Sequence, residues 1–195
     1  TCTQILSYRR KYKGNDMQGK EKTFRRKKEK ATSLLLSIVV VVISLIGFSN
    51  WNTIGIYTGA SWVGRLLYPF FHANIIHALL NAWCLICIIF IYDIKITRLL
   101  LAYIVAVTFP IDTLSHFLSL PTLPTVGLSG VVFFLFGSIS LEVSRKLYYQ
   151  LWMVFYIGIG FLFPNTNAWL HLYCYLCGFV YSILNYPIII QCKKR

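Results

Sequence analysis

The chain has 195 residues, of which 57% are hydrophobic and only 13% charged, with a formal net charge of +13. A water-soluble domain of this length carries more charge, so the composition specifies an integral membrane protein. The basic surplus does not describe a nucleic-acid binder, because 11 of the 19 Lys and Arg residues crowd into residues 1–30 with no aromatics at repeating intervals among them.

Residues 1–32 are polar and basic and lack apolar periodicity, which predicts a mobile cytoplasmic arm that attracts anionic lipid and fixes orientation. The chain opens on Thr1 and its first methionine is Met17, so residues 1–16 read as an over-extended reading frame. No cleavable signal peptide is expected, since the first apolar run begins at Ser33 and further runs follow it. That run, residues 33–48, is the first predicted span. Residues 49–69 form a connection rich in Trp, Gly and Thr, suited to the membrane–water interface, and include Trp62 and Arg65. The second span, 70–91, carries His72, His77 and Asn81. A charged turn (92–97) leads to the third span, 98–118, where Pro110 predicts a kink.

Two prolines, Pro121 and Pro124, make residues 119–126 a rigid turn. The fourth span, 127–141, opens with Ser129 between Gly127 and Gly130. A charged loop (142–146), a fifth span (147–163), a tight turn (164–167) and a sixth span (168–190) headed by His171 complete the chain. The predicted fold is thus all-α, with a basic arm at 1–32, a six-span bundle at 33–191 and a short basic tail at 192–195. With six spans, 18 of the 19 basic residues fall on one side and only Arg65 on the other. Positive charge collects on the cytoplasmic side, so both termini are expected there. His72, Ser129 and His171 then enter the membrane from the same outer face.

A lone serine in an apolar helix usually bonds back to its own backbone and does no chemistry. Flanking glycines let substrate approach the hydroxyl, but a nucleophile still needs a base and donors for the oxyanion. His171 begins its helix at the depth where Ser129 begins the fourth. Cys174 and Gly178 follow His171 on one face, and Gly130 and Gly137 share a face of the fourth span. Small faces let two membrane helices come close, which would carry base to nucleophile. His77 and Asn81, four residues apart, can offer two side-chain donors to one oxyanion.

These three stretches resemble the motifs of rhomboid intramembrane serine proteases. The match rests on HANIIHALLN (residues 72–81), GLSG (127–130), and His171 with Gly178 in the last span; Arg65 resembles the Trp/Arg-bearing first loop. It covers roughly residues 33–190. The resemblance implies Ser129 as nucleophile and His171 as base, with no third acid and no cofactor or metal. It gives His77, Asn81 and the Ser129 amide to the oxyanion hole and places Gly127 beside it. It implies a structural role for His72, with Gly130 and Gly178 as helix contacts. Phe133 stands where the family often has a tyrosine packed on the catalytic imidazole. Leu170 and Cys174 depart from the family's Ala and Gly, and Cys174 in particular is expected to affect the spacing of the fourth and sixth helices.

Cys84-Leu-Ile-Cys87 and Cys174-Tyr-Leu-Cys177 mimic a four-thiolate zinc site by spacing, yet both lie in uninterrupted apolar helix, so core packing is expected. Asp112 and His116, four apart, are read as an interfacial pair. The expected activity is cleavage of transmembrane substrates near the outer face of a membrane, with the short loops suggesting a bacterial plasma membrane. The other class is a catalytically impaired rhomboid-like protein that binds transmembrane helices. The presence of both Ser129 and His171 favours the protease.

Overall fold

The structure, a computed structural model, describes the backbone of residues 2–47, 50–118, 124–163 and 166–193, with side chains described from 23 to 186 within them apart from residue 25. Among the described residues every regular element is helical, and the only strand-like pairing is a single bridge between Ile56 and Thr125.

α1 runs unbroken from Cys2 to Ile46. The basic segment expected as a mobile arm therefore continues the helix of the first apolar run. Apolar periodicity reports burial, whereas this helix follows from the high intrinsic propensity of its Lys, Arg, Glu and Gln residues. Ser33, Ser37 and Val40 recur at helical spacing and are buried, and α1 packs through this face on α4 (Ile75–Ile91). Small side chains on the face allow the close approach.

Between these helices lie α2 (Trp51–Ile54), α3 (Trp62–Leu67) and a 3₁₀ turn over Tyr68–Phe70. α3 starts where Ser61 accepts a hydrogen bond from the Gly64 amide at 3.1 Å, an N-cap that satisfies one of the orphan donors of a helix start. α4 starts in the same way, with Asn74 accepting from the His77 amide at 2.8 Å. The second span expected over 70–91 is thus divided: Phe70 ends the turn, α4 begins only at Ile75, and the helical segments on either side of this break are bent by 79°.

The third expected span is also shorter than its apolar run. α5 (Ile96–Val107) stops at Thr108, and after Phe109 and Pro110 a single turn, α6 (Ile111–Leu114), follows. Proline lacks an N–H and disfavours helix at the preceding residue, so Pro110 ends α5 instead of kinking it. Of the expected turn at 119–126, residues 119–123 lie outside the described residues, and Thr125 pairs with Ile56 through two backbone bonds of 2.9 Å. α7 (Ser129–Ser138), α8 (Lys146–Gly160) and α9 (Ala168–Lys193) complete the order. Of the expected turn at 164–167, residues 164 and 165 lie outside the described residues.

α7 is the centre of the bundle, with eight of its residues buried. Its tightest partner is α9. A Cβ at Gly137 would fall on the Tyr175 carbonyl, and one at Gly178 on the Phe134 carbonyl, so the two backbones touch where both lack a side chain. At the other end Arg98 bonds Glu142 at 2.8 Å and lies over the Tyr181 ring, tying α5 and the segment after α7 to α9. Glu142, expected in a charged loop, is therefore the partner of a buried arginine.

The outside of the bundle is apolar. Leu34, Leu35 and Ile38 on α1, Leu79 and Trp83 on α4, and Val154 on α8 are all exposed. Contiguous exposed hydrocarbon of this extent fits lipid better than water. Among the described residues one helix, Arg26–Ile46, is by itself long and apolar enough to cross a membrane, or two if the bent pair is one span; Ile96–Val107 and Ser129–Ser138 are shorter apolar helices.

Candidate active site

The starts of α4, α7 and α9 meet at one end of the bundle, and a set of hydrogen bonds fixes them there. Tyr68, fully buried, donates its hydroxyl to the Ala106 carbonyl of α5 at 2.9 Å, and its own carbonyl accepts the Gly127 amide at 2.9 Å. His72 accepts the Leu128 amide at Nε2, 3.1 Å away. The stretch before α4 thereby carries the stretch before α7. α9 is fixed by Asn167, whose Oδ1 accepts the Leu170 amide at 3.0 Å while its Nδ2 donates to Thr125 Oγ1 at 3.2 Å. One residue caps α9 and ties it to the segment leading into α7.

These anchors leave Ser129 Oγ 2.8 Å from His171 Nε2. That is within the reach a general base needs for a hydroxyl proton. The imidazole lies nearly parallel to the Phe133 ring, with centroids 4.3 Å apart and 15° between planes. The Phe133 ring thus packs on the face of the imidazole, and Asp112 and Glu142 are taken up by Arg65 and Arg98.

Ser129 is the first residue of α7, and the first amides of a helix have no intrahelical acceptor. Its N–H therefore points out of the helix start with positive dipole behind it. His77 lies beside it, its ring edge-on to His72 at 5.0 Å. Gly127, at φ +130°, makes this possible: a Cβ there would stand 2.7 Å from His77 Cε1. Asn81, one turn further along α4, donates from Nδ2 to the His77 carbonyl at 3.0 Å. An amide nitrogen has two hydrogens, so one remains for another acceptor. His77, Asn81, Ser129 and His171 all line one cavity of about 520 Å³.

Cys174 is fully buried, with Sγ 3.5 Å from where a Gly130 Cβ would stand. It sits at the α7–α9 contact, in ordinary van der Waals range of the Gly130 position. Leu170 is fully buried as well. Cys84 lines the cavity while Cys174 faces Gly130, and among the described residues no three His, Cys, Asp or Glu side chains gather as a metal site. The Asp112–His116 pair is corrected: Asp112 accepts from the Gly59 amide at 2.8 Å and pairs with Arg65, and His116 is exposed. Arg65 also donates to the Phe109 carbonyl at 3.3 Å. Asn167 and Tyr68 were not read from the sequence. An Asn directly before an apolar helical run is a recognisable N-cap signal, whereas nothing local marks Tyr68.

The class of protein so defined is an all-helical bundle in which a serine and a histidine from different helices meet over a cavity. A family model for the rhomboid domain matches residues 58–188, well over half of the chain. The chain belongs to the rhomboid family, whose members are generally intramembrane serine proteases. No curated protein and no solved structure matches it.

Proposed function

We propose that the protein is an intramembrane serine endopeptidase that cleaves transmembrane substrates near the outer membrane face. The observation that carries this is the 2.8 Å contact between Ser129 Oγ and His171 Nε2 at the wall of a cavity. Ser129 Oγ attacks the scissile carbonyl carbon while His171 Nε2 takes its proton. The oxyanion is held by the Ser129 amide, the His77 ring and the free hydrogen of Asn81 Nδ2. Collapse breaks the C–N bond, and His171 returns the proton to the leaving amine. Water entering the cavity then loses a proton to His171, attacks the acyl ester and releases the carboxylate product with Ser129 restored.

The chain crosses the membrane six times in this reading, with domain limits at 33–191. Its short helices act as spans together with their flanking turns. Both termini are cytoplasmic, because that arrangement puts 18 of 19 basic residues inside. The basic start of α1 lies against anionic lipid of the plasma membrane. No metal or cofactor takes part in the steps above.

The helix-binding alternative is disfavoured by the intact Ser129–His171 contact. Incubating purified protein with a model substrate whose outer helix end is destabilised separates the two. Cleavage by the wild type and none by Ser129→Ala supports the protease; equal cleavage by both, or by neither, ends it.

A further inference from the structure

α7 lines two different spaces. Ser129 and Val132 look into the catalytic cavity, whereas Leu128 and Val131 form the buried floor of a separate apolar groove of about 200 Å³. α1 packs on α4 and α5 packs on α7, and the groove is the space left between α1 and α5. Its walls are Leu36 of α1 and the half-buried Leu99 and Tyr103 of α5, while Ile96 and Leu100 stand exposed along its rim. The two ends differ. At the outer end the Phe70 and Tyr103 rings meet, with centroids 5.9 Å apart, and the Tyr103 hydroxyl donates to the Leu66 carbonyl at 2.8 Å. The other end opens at Ile96, the first residue of α5, beside the exposed Lys95. From there to Tyr103 the groove runs seven residues, or about 10 Å.

We infer that this groove holds one acyl chain of an anionic phospholipid from the cytoplasmic leaflet. The inference rests on the membrane orientation proposed above and not on the catalytic steps. Charge selects both the leaflet and the headgroup. Besides Lys95, α1 presents Arg26, Lys27 and Lys28 to solvent at the open end. The acids nearby are fewer: Asp93 is exposed, Glu29 is buried, and Glu142 is taken up by Arg98. At the outer end Arg65 is buried and paired with Asp112, so it offers no free charge to a headgroup. Basic residues at the cytoplasmic surface attract anionic lipid. Leu36 lies eight residues beyond Lys28, about 12 Å along the helix, within the roughly 15 Å of hydrocarbon in one leaflet. A chain reaching that depth supplies the dispersion contacts that an empty groove lacks. It rests on Leu128, whose amide His72 holds, and so backs the helix start that carries Ser129.

Photo-crosslinking of the full chain in phosphatidylcholine vesicles tests this. The probes are phosphatidylglycerol and phosphatidylcholine, each with a diazirine on the acyl chain, and adducts are mapped by mass spectrometry. Leu128 and Val131 lie beneath the rim, so an adduct there marks a chain inside the groove. The phosphatidylglycerol probe is expected to modify them at least about fivefold more than the phosphatidylcholine probe, the factor that one basic residue near the surface supplies. Lys95→Glu is expected to reduce that excess. Leu99→Trp, or Leu36→Trp from the opposite wall, is expected to remove the floor adducts and leave those on Ile96 and Leu100. Adducts confined to Ile96 and Leu100 in the wild type would show ordinary surrounding lipid and overturn the site. Equal labelling by the two probes, or an excess unchanged in Lys95→Glu, overturns the anionic headgroup. Floor adducts that persist in both tryptophan variants, each with a cooperative unfolding transition, overturn the groove as their source. Fluorophosphonate labelling of Ser129 reports on the catalytic reading separately, so either can fail alone.

Discussion

Cys174 of α9 packs against Gly130 of α7, its Sγ 3.5 Å from where a glycine Cβ would stand. The pair lies next to the Ser129–His171 contact in both helices, so any change in its volume is felt by the dyad. Cys174→Leu overpacks the contact and is expected to cost about 1–3 kcal/mol, with slower cleavage. Cys174→Gly opens a void and adds a helix glycine, which costs about 1 kcal/mol for the glycine alone. Thermal unfolding in detergent and turnover of a model substrate check both. A faster Cys174→Gly enzyme would show that the thiol holds the helices apart.

Two glycines on α8 and α9 should respond in opposite ways to alanine. A Cβ at Gly178 falls on the Phe134 carbonyl, where only backbone movement could make room, whereas nothing lies within 4 Å of a Cβ at Gly158. Gly178→Ala is expected to destabilise by at least about 1–3 kcal/mol. Gly158→Ala is expected to stabilise by about 0.4–1 kcal/mol through the unfolded chain. Unfolding midpoints of the two variants, side by side, test how tightly α7 and α9 are pressed together.

The connection before α4 is held by Arg65, which is buried, and Asp112, which is half open to solvent. Losing the arginine removes its charge-assisted bonds to the Ala60 and Phe109 carbonyls, at about 1–3 kcal/mol, while Phe109 keeps the Ile111 amide at 2.8 Å. Asp112→Asn keeps an oxygen for the Gly59 amide and for Arg65 and weakens an ion pair whose carboxylate is half open to solvent, at about 1 kcal/mol or less. Arg65→Ala should therefore lower the unfolding midpoint more than Asp112→Asn does. The reverse order would mean that the charge pair, not the carbonyl contact, holds the loop.

The shared face of His77 and Asn81 and the glycine faces were legible because helical spacing decides which residues share a face, whereas the pairing of Ser129 with His171 was carried by the resemblance of their motifs to the rhomboid family. Placing Ser129 and His171 each at a helix start made their meeting sterically plausible and no more. The Arg65–Asp112 pair was not legible: the residues are 47 apart, and they meet only because α5 stops before Pro110. The wrong pairing of Asp112 with His116 came from assuming that the helix ran through. Asn81 could be placed on the correct face, but its bond back to the His77 carbonyl depends on a rotamer that spacing does not fix. The helical start of α1 was missed because its residues form helix by propensity, which leaves no apolar period to read.

Membrane topology follows from charge more than from helix length, since α5 and α7 are short. Reporter fusions at Lys95, Pro124, Arg145 and Thr166 are expected to read inside, outside, inside, outside. An outside signal at Arg145 would put α7 and α9 into the membrane from opposite faces and contradict the six-span arrangement.

The most direct measurement is covalent labelling of Ser129 by a fluorophosphonate, followed by mapping of the adduct. An assisted serine reacts readily and an ordinary hydroxyl does not. Wild-type protein is expected to carry one adduct, on Ser129, and Ser129→Ala none. His171→Ala is expected to label at least about a hundredfold more slowly, the lower range of what a general base contributes. Folded wild-type protein whose Ser129 stays unmodified, or a His171→Ala variant that labels at the wild-type rate, would contradict the dyad.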